Sequence, residues 1–228
     1  MVVVVRSDQS FVGRLHELSN VGECQLGGRR KRIFDIVGAT GLIVFLAPVM
    51  IAVAFAVWIG RPGSTFFGHS RIGFEGRKFK CLKYRSMVAD SSEVLRRHFL
   101  ENPAARAEWA ETRKLRDDPR VTRIGKLLRR SSMDELPQLF NVLRGEMSLV
   151  GPRPITDEEA SRYGSDFSLY KRARPGITGL WQVSGRSDCD YETRVRLDVA
   201  YVSNWSLLLD VRILIRTVGV VLRQEGSR

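Results

Sequence analysis

Two adjacent acids, Asp134 and Glu135, stand in a stretch with arginines on both sides, at Arg129, Arg130, Arg144 and Arg153. A carboxylate can attack phosphorus or hold a divalent cation, and guanidinium groups bind phosphate through paired hydrogen bonds. Carboxylates ringed by arginines therefore suggest a site for an anionic substrate. The plain structural alternative is a charged helix start with complementary surface arginines. Ser131 and Ser132 precede the pair, and Ser132 to Glu135 fits the Ser-x-x-Glu capping box. Leu136, Leu139, Phe140 and Leu143 follow at helical spacing. The pattern predicts a short amphipathic helix with both carboxylates in its first turn.

Two further stretches could bind anions. Lys83-Tyr84-Arg85-Ser86-Met87 concentrates two cations, a phenol and a hydroxyl, which suits phosphate or, alternatively, lipid head groups. The glycine-rich stretch 172–186 reads as a loop carrying Arg172, Arg174 and Arg186 with Trp181 and Gln182. Aromatic and amide groups among arginines suit a nucleotide and its phosphates, and a purely structural loop fits equally.

The 228-residue chain is 43% hydrophobic and carries a net charge of +12. That length suits one domain, or a domain with an appendage. The basic balance points to nucleic acid, an anionic membrane face or phosphate-bearing substrates. No helix-turn-helix, zinc or RNA-binding signature supports nucleic acid. Cys24, Cys81 and Cys189 lack disulfide-framework or metal spacing, and His16, His69 and His98 are isolated.

The elements that must position these groups follow in order. Residues 1–28 read as a tail, without the charged n-region of a signal peptide. Four basic residues, 29–32, lead an apolar run from Ile33 to Ile59, whose last 24 residues from Ile36 are uncharged. That is long enough to span a bilayer. Pro48 divides it into arms of 12 and 11 residues, each roughly half a ~30 Å hydrocarbon core. Basic residues flank both ends, which places both in the cytoplasm. A helix kinked at Pro48 that enters and leaves through one leaflet satisfies both facts, and a single span is the alternative. Runs 65–74 and 77–87 predict a hairpin, with Phe79 and Cys81 set against Lys78, Lys80 and Lys83. Residues 91–115 are helical, broken at Asn102-Pro103. Residues 121–130 predict a basic amphipathic helix, 157–163 an acidic helix, 191–201 a helix with Asp198 facing Arg194, and 207–222 an interfacial helix.

Five motifs occur in order: Lys-Arg-x-x-Asp at 31–35 before the proline-broken run, Lys-Tyr-Arg-Ser-Met at 83–87, and Asp-Glu-Leu-Pro-Gln-Leu-x-Asn at 134–141. Gly-Glu-Met-Ser-Leu-Val-Gly-Pro-Arg-Pro at 145–154 and Arg-Pro-Gly-Ile-Thr-Gly-Leu-Trp-Gln-Val-Ser-Gly-Arg at 174–186 complete them. Over residues 29–224 the chain resembles the bacterial sugar transferases, the monotopic polyprenyl-phosphate phosphoglycosyl transferases. It looks closest to exopolysaccharide-initiating members that transfer galactose 1-phosphate. The family often has Ser-Pro at the helix break, where this chain has Ala47-Pro48.

The resemblance implies a mostly α fold with a small β-hairpin. A tail (1–28), a re-entrant membrane segment (29–60) and a membrane-apposed catalytic domain (61–224) with interfacial helices would surround an active site on the cytoplasmic face of the inner membrane. It implies transfer of sugar 1-phosphate from UDP-galactose or UDP-glucose to undecaprenyl phosphate, with release of UMP. Asp134 would be the nucleophile and Glu135 the Mg²⁺ ligand. Arg153 and Arg129 would grip phosphate, with Lys83 and Arg85 as second candidates and Arg174 and Gln182 on the substrate. Inner-membrane lipid is an implied partner and nucleic acid is not; homo-oligomerisation stays open. The competing reading is a non-enzymatic single-span protein whose basic domain binds lipid or a partner.

Overall fold

The computed structural model describes residues 26–60, 63–112, 115–184 and 190–222. Most of the expected tail, together with Arg61 and Arg186, lies outside these residues. The described chain is mostly helical, with two small two-stranded sheets among the described residues.

Helix α1, Gly28–Gly60, takes up the whole apolar run, and Pro48 lies inside it. It is the one described helix long and apolar enough to cross a membrane. Val44, Phe45, Ile51, Phe55, Trp58 and Ile59 on it are exposed. Its polar base, by contrast, is sunk in protein. Lys31 is 4% exposed and donates to Asp210 Oδ2 at 2.7 Å, the Val150 carbonyl at 3.0 Å and the Tyr201 hydroxyl at 3.1 Å. Asp35 accepts from Ser148 Oγ at 2.9 Å and the Leu149 N–H at 3.0 Å. The Arg32 guanidinium donates to the Val142 and Leu143 carbonyls at the C-terminus of a later helix, where Val142 also accepts from the Gly145 N–H.

Strands β1, Phe66–Ile72, and β2, Lys78–Tyr84, form the expected antiparallel hairpin, from Phe66 opposite Tyr84 to Ile72 opposite Lys78. The chain reverses through Glu75 and Gly76, both with left-handed backbone. Alternation buries Phe79 and Cys81 and exposes Lys78 and Lys80. Lys83 shares the parity of the buried pair, so it turns inward instead of joining the exposed lysines. Helices α2, Ser91–Glu101, and α3, Pro103–Thr112, are separated at Asn102 and joined by Phe99 against Trp109.

Helix α4, Arg123–Arg130, is capped by Thr122, whose hydroxyl accepts from the Gly125 N–H. A Cβ on Gly125 would stand 2.0 Å from the Ser86 carbonyl oxygen, so only glycine lets α4 lie this close to the end of β2. Helix α5, Gln138–Arg144, leads into β3, Ser148–Val150, which pairs in parallel with β4, Gly176–Thr178. The stretch expected as a glycine-rich loop thus supplies a strand and then helix α8, Leu180–Ser184. Its glycines are steric: a Cβ on Gly176 would meet the Gly151 nitrogen at 2.1 Å. Helices α6, Asp157–Ala160, and α7, Phe167–Tyr170, precede this pair. Helices α9, Tyr191–Ser203, and α10, Leu207–Leu222, close the chain. Val142, Met147, Leu149, Val150, Tyr201 and Ile213 form the main core, between α1, α5, β3, α9 and α10.

Candidate active site

The two carboxylates lie in a tight 3₁₀ turn, Met133–Glu135, ahead of α5 rather than in its first turn. Ser132 is left-handed (φ 56°, ψ 15°) and its hydroxyl makes no cap bond, so the expected capping box does not form. Pro137 occupies the start of α5, where a missing N–H costs no helix bond. Three residues per turn set neighbouring side chains roughly 120° apart. Asp134 accordingly faces inward, 7% exposed, while Glu135 is only partly buried.

Lys83, delivered by the inner face of β2, joins them. Its Nζ lies 2.5 Å from Glu135 Oε1 and 3.9 Å from Asp134 Oδ2. Burial alone would push the Lys83 pKa down, but the two carboxylates outweigh it and raise it, so the ammonium stays charged. Burial pushes the Asp134 carboxyl above the ordinary carboxylate range; Lys83 and Arg129 oppose the rise and Glu135 adds to it. Arg129, from α4, donates its Nε–H to Ser86 Oγ at 2.9 Å and lies within electrostatic reach of Asp134. Lys83, Ser86, Arg129, Asp134 and Glu135 therefore form one polar cluster.

The other expected site residues make contacts of their own. Arg85 packs against Gly63 and lines a cleft with Val57 of α1. Arg174 donates to the Gly145 carbonyl at 2.7 Å and stacks over Phe74, beyond the far end of α5. Gln182, in α8, donates to the Ile177 carbonyl of β4 at 3.2 Å. Arg153 projects from a rigid Pro-Arg-Pro segment with its guanidinium 5.3 Å from the Trp181 ring centre, and Arg194 lies 4.5 Å from the same ring. Cys81, buried on β2, feels the charges of both Lys83 and Arg153; burial pushes its thiol up to about 11, which keeps it unreactive.

The backbone of the Arg153 segment is held from two sides. Its N–H donates to Asp198 Oδ2 at 3.4 Å, and its carbonyl accepts from the Tyr170 hydroxyl at 3.1 Å. Asp198 thus serves Arg153 and the Tyr163 hydroxyl (2.7 Å) rather than forming the expected pair with Arg194, which stacks on Trp181. Nothing in the local pattern around Asp198 revealed this role, because its partners are 35 and 45 residues away.

Burial pushes the Asp198 carboxyl up to about 7, against the Tyr163 hydroxyl, the Arg153 N–H and the nearby arginines. A raised acid binds more protons when folded, so its contribution to stability falls as pH rises from the ordinary carboxylate value to about 7. Wild-type protein should gain stability relative to Asp198→Asn on going from about pH 8 to about pH 5. The gain should reach a few kcal/mol, at ~1.4 kcal/mol per pKa unit. Denaturation in detergent across that range checks this, and parallel pH trends in the two proteins would refute it.

Among the described residues no three His, Cys, Asp or Glu side chains gather as a metal cage. Asp134 and Glu135 are instead the kind of two-carboxylate set that Mg²⁺ shares with substrate phosphates. Lys83 against Glu135 marks a position that already draws positive charge.

The described chain combines a buried carboxylate facing cations with one exposed helix long and apolar enough to cross a membrane. The chain belongs to the bacterial sugar transferases, whose family model matches residues 27–224. It is 55% identical to a UDP-galactose-lipid carrier transferase of Erwinia amylovora, over 86% of this chain and 41% of that protein. It is 51% identical to an undecaprenyl-phosphate galactose phosphotransferase of Salmonella typhimurium, again over 86% of this chain and 41% of that protein. Exopolysaccharide production protein ExoY of Sinorhizobium fredii is 50% identical over 89% of both chains. The chain thus spans about two fifths of the first two relatives and nearly all of the third.

Proposed function

We propose that this protein transfers sugar 1-phosphate from a UDP-sugar to undecaprenyl phosphate, releasing UMP, as a membrane step of exopolysaccharide production. The observation that carries the reading is the Asp134–Glu135 pair, with Lys83 against it and Arg129 beside it. The names of the Erwinia and Salmonella relatives support galactose 1-phosphate as the transferred group.

The reaction runs in two displacements. An Asp134 carboxylate oxygen attacks the β-phosphorus of the donor, the bond to the bridging oxygen breaks, and UMP leaves with its electrons. A phosphate oxygen of the acceptor then attacks the same phosphorus, and the bond to Asp134 breaks to return the carboxylate. Burial serves both steps: it makes Asp134 more basic, hence a better nucleophile, and it keeps water from the acyl phosphate. Lys83 is placed to move from Glu135 onto incoming phosphate oxygens, and Arg129 and Arg153 supply guanidinium groups for the rest. Glu135 would hold Mg²⁺, which when bound offsets phosphate charge. Glu135→Gln should weaken apparent Mg²⁺ affinity about tenfold or more; an unchanged metal titration would remove that role.

The cytoplasmic, re-entrant placement of α1 is part of this reading. Both halves of the helix touch the same domain: Lys31 reaches α10, the Met50 carbonyl accepts from the Tyr84 hydroxyl at 2.8 Å, and Gly60 packs near Ile124. That supports entry and exit through one membrane face. Single cysteines at positions 28 and 66 should both be labelled from the cytoplasmic side, and opposite-side labelling would refute it.

UDP-galactose, UDP-glucose and their N-acetylated forms, supplied with undecaprenyl phosphate and Mg²⁺ and scored for UMP release, test the transfer itself. UDP-galactose should be the preferred donor. Absence of UMP with every donor would overturn the proposal.

A further inference from the structure

A cleft of about 280 Å³ opens where the C-terminal end of α1 meets the start of α4. Its lining is mixed: apolar from Val57, Met87 and Ile124, basic from Arg85 and Arg123, and hydroxylic from Ser64 and Thr122. A lining of this kind suits a molecule with one anionic end and one hydrocarbon end.

The level of the cleft in the molecule is also telling. Trp58 is 61% exposed and Phe55 stacks on it with ring centres 5.9 Å apart, just before α1 ends at Gly60. Exposed aromatic rings at the end of an apolar helix sit at head-group depth. The apolar part of the lining therefore continues into the lipid-facing side of α1, while the arginines lie where lipid phosphates lie.

Ser86 stands in the chain between Arg85 and Met87, which both line this cleft. Its hydroxyl accepts from Arg129, on the Asp134 side, and its carbonyl accepts from the Thr122 N–H at 3.1 Å, on the cleft side. Gly125 keeps α4 pressed on that carbonyl. Ser86 thus links Thr122, which lines the cleft, to Arg129 of the carboxylate cluster.

We propose that this cleft seats the phosphate end of the polyprenyl phosphate acceptor, with Arg85 and Arg123 on the phosphate and Val57 and Ile124 on the first isoprene units. The assignment rests on the transfer reading above and gives the second substrate a site distinct from the donor's. The acceptor phosphate passes Ser86 to reach the phosphorus carried by Asp134. A new P–O bond forms as the Asp134 bond breaks, and no proton moves because the attacking oxygen is already anionic.

Two variants outside the carboxylate cluster test it, Arg123→Gln and Val57→Asn. In full-length protein the burst of UMP from donor alone should persist in both. The apparent KM for undecaprenyl phosphate should rise about tenfold, the scale of one lost charged hydrogen bond. Inorganic phosphate, used as a competitor, separates lipid from free anion. Arg123→Gln should weaken its inhibition, whereas the neutral Val57→Asn should leave that inhibition unchanged while still raising the KM for lipid. Unchanged lipid KM, or a burst that falls in step with turnover, would overturn the assignment, and so would a Val57→Asn protein with normal lipid KM. Retention of undecaprenyl phosphate on purified protein, read by mass spectrometry, needs no turnover. It should drop about tenfold in both variants. Equal retention overturns the cleft whatever the transfer assay gives; intact wild-type retention without any UMP release overturns only the transfer reading.

Discussion

Asp134→Asn is expected to abolish sugar-phosphate transfer and the covalent phosphosugar adduct together. The amide has nearly the shape of the carboxylate but lacks the charged oxygen that attacks phosphorus. Loss of a nucleophile costs at least about a thousandfold in turnover. The fold should survive, because the substitution removes a charge that burial disfavours, and Lys83 keeps Glu135 as its nearer partner. Mass spectrometry of protein mixed with UDP-sugar reads the adduct, and UMP release reads the chemistry. Normal turnover by the Asn variant would sink the nucleophile assignment. Turnover lost with the adduct still present would move Asp134 to the second displacement alone.

Lys31→Met should be the most destabilising single change in the chain's interior. It would leave Asp210, which is fully buried, facing Tyr201 Oη and Trp205 Nε1 with no cation. Breaking a buried ion pair from one side costs about 3–5 kcal/mol, since the remaining charge stays desolvated. The loss falls on the joint between α1 and α10, so unfolding should become less cooperative as well as easier. Replacing both partners, as Lys31→Met with Asp210→Leu, should recover most of the loss, because two apolar groups satisfy each other. Denaturation in detergent checks both proteins. A double variant no better than the single one would show that the hydrogen bonds to Val150 and Tyr201, and not the charge pair, carry the joint.

What could be read from the sequence follows the range of the interaction. The β1–β2 hairpin was legible because strand alternation and a Glu-Gly turn are local signals, and α2, α3 and α4 for similar reasons. The inward turn of Lys83 was available from the same alternation, since it shares the parity of Phe79 and Cys81, yet its type grouped it with Lys78 and Lys80. The Ser132 capping box misled, because Pro137 and a left-handed Ser132 favour a 3₁₀ turn over an early helix start. Pairings across long stretches had no local signal. Lys31 meets Asp210 across 179 positions, and β3 meets β4 through three-residue strands too short to show a period. A lone acid in an apolar helix, Asp210 in α10, was the one available hint that a buried cation waited elsewhere. Arg174 shows the opposite error: an arginine in a nucleotide-like loop turned out to hold the Gly145 carbonyl.

The sunken base of α1 also decides where this polypeptide can be divided. A fragment starting after Gly60 would lack Lys31, Arg32 and Asp35, and with them the groups that satisfy Asp210, the last carbonyls of α5 and the start of β3. The long apolar helix is therefore not a tether attached to a finished domain but a piece of its interior, and helix and domain fold as one unit.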